Sequence, residues 1–511
     1  MPTPRPDEKT LAAIAEARRF GLSSADVAEY APIVDAMLGS FDRIEELYAQ
    51  TAPEPVERKS WTPSAQENPL GAWYVQCEVT GSGAGPLAGR TVAIKDNTQV
   101  AGVPMMNGSQ TLEGWVPVRD ATIVTRLLAA GATITGKAVC EDLCFSGGSH
   151  TSRTGAVRNP WDPTRSAGGS SSGSAALVAT GAADMATGGD QGGSIRMPAA
   201  YSGIVGHKPT HGLVPYTGAF PIEQTLDHVG PMTRTVADAA LMLGVIAGRD
   251  GLDPRQPDVV DVPDYVAGLE GPVAGLRVGV LAEGFGIPGV SDPAVDEAVR
   301  GAIEQLRGLG VVAEEVSVPL HRDGIHLWNV LAGEGASAQM IDGNAYGVNW
   351  QGEYDPELIE YYGRRWRELP HEFSTTVQAV LLATGHTTGT RFGAHYAMGR
   401  NLALRLRAAY TEALSRFDVL VMPTVPLRAT PLPTEGAGRQ EVFDRALEHL
   451  GNTAPFDISG NPAITVPAAQ ADGLPTGLMI VGRHFDDATV LRLAHHYEQA
   501  VGGFPTPTST W

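Results

Sequence analysis

The sequence has few cysteines and few lysines. Its three cysteines, Cys77, Cys140 and Cys144, are too few for a disulfide framework, so we expect a cytosolic protein. Only five of its 37 basic residues are lysine, and arginine supplies the rest. Arginine cannot lose its proton in a protein, whereas a desolvated lysine can. The position of each lysine is therefore of chemical interest: Lys9, Lys59, Lys95, Lys137 and Lys208.

Long apolar runs and excess positive charge are also missing. No stretch of about 18 apolar residues marks a membrane span, and no basic start followed by an apolar run marks a signal peptide. The formal net charge of -20 repels phosphate backbones, which argues against nucleic acid as a partner. We therefore expect a cytoplasmic protein that binds neither membranes nor nucleic acid.

Strand-like and helix-like segments alternate along most of the chain. Residues 89–97 read as a buried strand that ends near Lys95, and residues 121–131 read as the helix that follows. This alternation predicts an α/β fold, a mixed central sheet flanked by helices. We divide the chain into an N-terminal helical segment, a large domain in two parts and a smaller helix-rich insertion between them: residues 1–75, 76–284, 285–415 and 416–511.

Local patterns give a more detailed prediction of the elements. We expect helices within residues 1–50, including a separate acidic helix at 41–48, and a short helix at 139–144. We expect strands at residues 132–135, 182–184, 276–280, 418–423 and 463–467.

A glycine-rich stretch at residues 190–199 is the strongest chemical signal. Gly192, Gly193 and Ser194 are three small residues in a row, which allow a tight turn whose backbone N–H groups point into open space. Such a turn can hold a developing negative charge. With a serine hydroxyl at the same place, one loop supplies both the nucleophile and the oxyanion site of an acyl-transfer reaction.

Two further segments complete a coherent catalytic set. A serine hydroxyl needs a base beside it, and a lysine in an apolar pocket, such as Lys95 after Val92 to Ile94, can serve if burial leaves it neutral. Ser170, in the serine-rich loop of residues 168–173, can relay the proton because a hydroxyl both donates and accepts.

Other motifs point elsewhere but are incomplete. Ser171 is the centre of a G-x-S-x-G pattern, yet no histidine is marked out by its spacing. Residues 131–137 resemble a phosphate loop that lacks the serine or threonine for Mg²⁺. Cys140 with Cys144, and His495 with His496, have no second ligand pair. We therefore expect no metal and no cofactor.

Taken together, residues 91–95, 168–173 and 190–198 resemble the amidase signature family, and the resemblance resumes at residues 452–493. It implies the amidase signature fold and a Ser-cisSer-Lys set with Ser194 as nucleophile, Ser170 as the bridging serine after a cis peptide bond, and Lys95 as base. It also implies an oxyanion hole formed by backbone N–H groups of Gln191, Gly192, Gly193 and Ser194.

Wider stretches are similar to bacterial enantioselective amidases that act after nitrile hydratase: residues 68–70, 103–108, 140–145 and 211–230. This similarity implies hydrolysis of aliphatic and aromatic primary amides to acid and ammonia, and a homodimer in which the N-terminal segment takes part. We name Phe145, Ile222 and Trp328 as candidate pocket walls. Acyl hydrazides, anilides or carbamates stay open as substrates, and so does the role of a glutamine-dependent tRNA amidotransferase subunit.

Overall fold

The structure, a computed structural model, describes residues 3–508. Contacts between residues divide the chain into two compact units, with the boundary between Pro55 and Val56. The first unit contains two helices, α1 (Glu8–Ala17) and α2 (Ser24–Ala49).

Helix α2 is one continuous helix, so the separate helix predicted at residues 41–48 is wrong. Ser23 caps its start, and Ser23 and Asp26 exchange hydrogen bonds in a capping box. Gly39 and Ser40 lie inside the helix, and a glycine there costs only about 1 kcal/mol relative to alanine. That cost is too small to end a helix of this length.

A single mixed sheet of twelve strands, counted over residues 3–508, forms the centre of the second unit. This sheet confirms the predicted fold class. Its strand order is β1-β2-β4-β3-β5-β7-β6-β11-β12-β10-β8-β9. The strands are β1 (Ser60–Trp61), β2 (Trp73–Thr80), β3 (Thr91–Lys95), β4 (Thr133–Ala138), β5 (Met185–Asp190), β6 (Val205–Lys208), β7 (His228–Thr233), β8 (Arg277–Leu281), β9 (Val312–Val316), β10 (Val419–Pro423), β11 (Ala463–Pro467) and β12 (Gly477–Val481).

The helices of the second unit are interspersed with these strands. Within residues 3–508, none of the helices has the length and apolar character needed to cross a bilayer. They are α3 (Thr122–Ala129), α4 (Ser172–Thr180), α5 (Arg196–Ser202), α6 (Val236–Ile246), α7 (Tyr265–Gly268), α8 (Pro293–Gly308), α9 (Gly324–Ala336), α10 (Pro356–Glu368), α11 (Thr375–Arg391), α12 (Ala394–Arg416), α13 (Arg439–Leu447), α14 (Ala454–Ser459) and α15 (Asp487–Ala500).

Two further predicted elements differ from the structure. The strand predicted at residues 182–184 is instead β5, Met185–Asp190, whose two glycines hide its strand character in the sequence. The helix predicted at residues 139–144 is a short 3₁₀ turn, Asp142–Cys144, after the end of β4. Leu143 and Cys144 have φ angles of 48° and 58°, which a right-handed helix cannot accommodate.

The register of the sheet brings two chain segments together. Strand β3 pairs in parallel with β5, with Val92 opposite Met185 and Ala93 opposite Ala186. The carboxyl ends of parallel strands meet at the same edge of a sheet, where ligands of α/β proteins bind. Lys95 at the end of β3 therefore lies close to the loop that follows β5.

Candidate active site

Lys95 is fully buried at the end of strand β3. Its Nζ donates a hydrogen bond of 2.8 Å to Ser170 Oγ and one of 3.2 Å to the carbonyl oxygen of Gly189. The strand places it there because Val92, Ala93 and Ile94 are all buried in the sheet. The structure thus brings together Lys95 and Ser170, two of the three residues of the predicted set.

The surroundings of Lys95 differ from those of the neighbouring buried lysine. Lys137 lies on β4 and pairs with the buried carboxylate of Asp96, with Nζ and Oδ1 2.8 Å apart. Among residues 3–508, no carboxylate forms an ion pair with Lys95. The two buried lysines therefore differ in their partners, which are a carboxylate for Lys137 and a hydroxyl and a carbonyl for Lys95.

Ser170 stands in a loop just before helix α4. The Gly169–Ser170 peptide bond is cis. The next residue, Ser171, donates a backbone hydrogen bond of 3.3 Å to the carbonyl oxygen of Ser194, so the two serine loops are in direct contact. The hydroxyl of Ser171 donates to the carbonyl oxygen of Gly189 at 3.2 Å, which engages it with strand β5.

Two side chains from distant helices fix the glycine loop. Trp328 on α9 donates from its indole Nε1 to the carbonyl oxygen of Gln191 at 2.6 Å. Thr453, at the start of α14, donates from Oγ1 to the carbonyl oxygen of Gly192 at 2.6 Å. In a planar trans peptide the carbonyl and the following N–H point in opposite directions. The N–H groups of Gly192 and Gly193 are therefore turned away from Trp328 and Thr453.

The backbone N–H groups of this loop are available for a ligand. Within the described part of the chain, no hydrogen-bond acceptor is found for the N–H of Gly192, Gly193 or Ser194. Fixed, unpaired N–H groups that converge on one point can stabilise an oxyanion. Residues 191–194 can therefore do the chemistry expected of them from the sequence.

Glycine is required at two positions of the loop. A Cβ atom on Gly192 would lie 2.8 Å from the Trp328 ring. Gly193 has a φ angle of 135°, and a Cβ there would lie 2.3 Å from Thr453 Oγ1. The same two side chains that orient the loop thus leave no room for any other residue.

A buried ion network holds the base of the loop. Asp190 accepts hydrogen bonds from the backbone N–H of Ile195 at 3.1 Å and from Nε of Arg196 at 2.9 Å. Arg196 also binds Asp457 of α14 at 2.6 Å. Burial would raise the pKa of the Asp190 carboxyl, but the charge of Arg196 outweighs it and holds that pKa below its usual value. Asp190 is therefore a permanent anion that anchors the turn.

The loop opens into a small apolar cavity. The three predicted wall residues, Phe145, Ile222 and Trp328, line it together with Ser194. The ring centroids of Phe145 and Trp328 lie 6.1 Å apart. Further walls that the sequence did not indicate are Cys144, Leu226, Leu447 and Leu450.

The predicted series of hydrogen bonds from Lys95 through Ser170 to Ser194 is not complete in the structure. Across residues 3–508, the hydroxyl of Ser194 has no hydrogen bond to that of Ser170, although their loops touch through Ser171. Ser194 lines the cavity, so its side chain borders the space that a ligand would occupy.

Sequence reasoning missed several residues that shape the site. Arg196 lies two positions after Ser194, and Thr453 and Asp457 lie in the segment where the family resemblance resumes. Their location in segments that carry the family resemblance is the only feature of the sequence that points to these residues. Nothing in the sequence indicates that the indole of Trp328 reaches the carbonyl of Gln191, 137 positions away.

Comparison with known proteins agrees with this geometry. The family described as Amidase matches residues 71–491. An enantioselective amidase from Rhodococcus rhodochrous is 54% identical over 506 residues, which cover 98% of this chain and 97% of the relative.

Solved structures share the fold. A glutamyl-tRNA(Gln) amidotransferase subunit from Thermotoga maritima is 29% identical, with a TM-score of 0.71, and the match covers 86% of this chain and 91% of that one. A 6-aminohexanoate cyclic dimer hydrolase complexed with substrate is 27% identical, with a TM-score of 0.73, and the match covers 84% of this chain and 88% of that one.

Proposed function

The chain belongs to the amidase family, and we propose that this hydrolase converts aliphatic and aromatic primary amides to the carboxylic acid and ammonia. One observation carries the proposal. The hydrogen-bonded pair of Lys95 and Ser170, 2.8 Å apart, lies beside a glycine loop whose serine lines an apolar cavity. The identity of 54% with an enantioselective amidase supports the same activity.

The first half of the reaction forms an acyl-enzyme. Ser194 Oγ attacks the amide carbonyl while its proton passes to Ser170, whose own proton passes to the neutral amine of Lys95. The carbonyl oxygen gains negative charge, which the N–H groups of residues 191–194 stabilise. The C–N bond then breaks, and ammonia leaves with a proton returned through Ser170.

The second half releases the acid. Water enters the position of the departed ammonia, gives up a proton through Ser170 to Lys95, and attacks the acyl ester of Ser194. When the tetrahedral intermediate collapses, the proton returns to Ser194 Oγ and the carboxylic acid leaves. Lys95 ends as it began, so one water is consumed for each amide hydrolysed.

The lining of the cavity suits an apolar acyl group. Phe145, Ile222 and Trp328 present apolar surface, and aromatic walls favour flat aromatic acyl groups. Nitrile hydration produces primary amides of this kind, so we place the enzyme after a nitrile-hydrating step. We also propose a cytoplasmic location, since the three cysteines are free and buried, as is usual in a reducing compartment.

A second candidate function is ammonia release from glutamine for a tRNA-linked reaction. Glutamyl-tRNA(Gln) amidotransferase subunits are among the relatives, at 37% identity over 84% of this chain in Exiguobacterium sibiricum. A related C–N bond, in a hydrazide, an anilide or a carbamate, is a variant of the first proposal because the catalytic set does not select the leaving group.

A substrate panel separates these possibilities. The purified chain alone is incubated with primary amides, anilides, hydrazides, carbamates and glutamine, and release of ammonia or amine is followed. We expect the fastest release from primary amides. Consumption of glutamine alone, and only with a partner protein present, would replace our proposal with the amidotransferase role.

We further propose that helix α2 contributes to a homodimer. Its apolar residues are exposed along one face, with Met37 64% and Ile44 65% accessible. The residues of this stripe recur at three- and four-residue spacing, which suits pairing with a second helix. The stripe is Tyr30, Ile33, Met37, Phe41 and Ile44.

Sedimentation velocity tests the dimer. The double substitution Met37→Glu with Ile44→Glu should yield a monomer, because it places charge on the proposed seam. Ala28→Glu, on the opposite face of α2, should leave the dimer intact. A monomeric parent protein at micromolar concentration would refute the proposal.

A further inference from the structure

The side-chain amide of Gln191, a residue that lines the active-site cavity, has a fixed orientation. Its Nε2 lies 3.0 Å from the hydroxyl oxygen of Tyr216, and that oxygen also contacts Asn97 Nδ2 at 3.3 Å. The Tyr216 hydroxyl donates its one hydrogen to the carbonyl oxygen of Phe220 at 3.3 Å. Its oxygen can then only accept, so both amide nitrogens must face it.

This arrangement settles which end of the Gln191 amide is left without a partner. A flipped amide would leave two acceptors, Gln191 Oε1 and the Phe220 carbonyl, competing for the one hydrogen of Tyr216. With Nε2 turned to Tyr216, Oε1 points the other way. Gln191 is 4% exposed, and no donor within residues 3–508 reaches its Oε1.

An unpaired acceptor at this position favours a ligand that donates a hydrogen bond. Gln191 lines the same cavity as Ser194, and the other walls named above offer apolar surface. Buried polar groups in native proteins are almost always paired, so an exception on a residue that lines a binding cavity favours a partner that arrives with the substrate. The N–H of an amide is a donor of the required kind.

We propose that Gln191 Oε1 accepts a hydrogen bond from the nitrogen of the substrate's scissile amide, which makes Gln191 a specificity-determining residue for amides over esters. This inference rests on the proposed function. Primary and N-monosubstituted amides carry the N–H, whereas an ester places a lone-pair oxygen opposite Oε1. The nitrogen keeps an N–H through the tetrahedral intermediate, so the contact also helps to hold the leaving group.

The test compares an amide with an activated ester. Gln191→Met keeps the backbone N–H and a similar length but removes the acceptor. We expect kcat/KM for a primary amide to fall about 10- to 100-fold, the effect of leaving one buried hydrogen bond unmade. For the 4-nitrophenyl ester of the same acid, we expect a change of less than about threefold, because the ester never makes this bond.

Two more variants test whether the effect comes from the loss of the Gln191 acceptor. Leu226→Met places the same new side chain on the same cavity wall without removing a polar group, and the ratio of amide to ester rates should stay at the parent value. Tyr216→Phe removes the group that orients the Gln191 amide, so this ratio should fall, by less than in Gln191→Met. It also provides the test if Gln191→Met does not fold.

The outcomes are distinct. Equal losses on amide and ester, or an unchanged ratio in both Gln191→Met and Tyr216→Phe, would overturn this inference alone. If the parent protein hydrolysed the ester but no amide at all, the proposed function itself would fail.

Discussion

The amine of Lys95 lies 2.8 Å from the hydroxyl of Ser170, in a part of the protein from which water is excluded. Three of the five lysines of the chain, Lys95, Lys137 and Lys208, are completely buried. Lys137 is paired with Asp96, while Lys95 donates to the Ser170 hydroxyl and the Gly189 carbonyl and lies beside the Cys144 thiol. The chain therefore holds two lysines of similar burial on adjacent strands, one paired with a carboxylate and the other hydrogen-bonded to a serine of the proposed catalytic set.

Replacing the proposed nucleophile should abolish turnover. Ser194→Ala removes the hydroxyl that we propose attacks the carbonyl, and we expect kcat to fall at least about 10⁴-fold. The measurement is ammonia release from a primary amide. Ser171→Ala is the matched control, since that hydroxyl binds the Gly189 carbonyl rather than lining the cavity. If Ser194→Ala kept substantial activity, another nucleophile would be required.

Removing the proposed base should be almost as damaging. Lys95→Ala should lower kcat by roughly 10³- to 10⁴-fold, near the upper end of the effect of a general base. Lys95→Arg should be equally inactive, because arginine stays charged and cannot accept the proton. Activity in the arginine variant close to that of the parent would show that position 95 supplies only positive charge.

The orientation of the oxyanion loop can be tested by one isosteric change. Thr453→Val keeps the shape of the side chain but loses the 2.6 Å hydrogen bond to the Gly192 carbonyl. The peptide that presents the Gly193 N–H is then less well fixed, and we expect kcat to fall about tenfold with little change in KM. Thr453→Ser retains the hydroxyl and should keep most of the activity. Equal effects of the two variants would argue against this role of the hydroxyl.

Stability should depend on pH through a carboxyl near the cavity. Burial raises the pKa of the Asp227 carboxyl from 3.8 to about 8, against the opposing charge of Arg255. The folded state thus binds a proton that the unfolded state releases, so the stability conferred by this group is full below about pH 4 and is lost as pH rises to 8.

Asp227→Asn should remove this dependence, because an amide does not titrate. In urea unfolding, the free energy gained by the variant over the parent should increase from pH 5 to pH 8 and stay constant above it. Asp258→Asn, at a side chain that is 99% exposed, should show no such trend. A gain from Asp227→Asn that is the same at every pH would contradict the assignment.

Sequence reasoning went furthest where chemistry restricts the choice of residue. A buried strand ending in lysine, a serine-rich loop and a Gly-Gly-Ser turn were recognisable because few other residues can do their tasks. The mixed sheet followed from the alternation of apolar strands and helices. Elements with unusual composition were misjudged, such as β5 with its two glycines and the turn at Asp142–Cys144.

The sequence by itself thus determined which residues are chemically able to cleave an amide, and it indicated the type of fold that carries them. Tertiary structure alone decided how they meet. The parallel register of β3 and β5 brings Lys95 to the glycine loop, and Trp328 and Thr453, more than 130 positions away in the chain, fix the direction of its N–H groups. Such contacts depend on the packing of helices against the sheet, so no local pattern of residues can specify them.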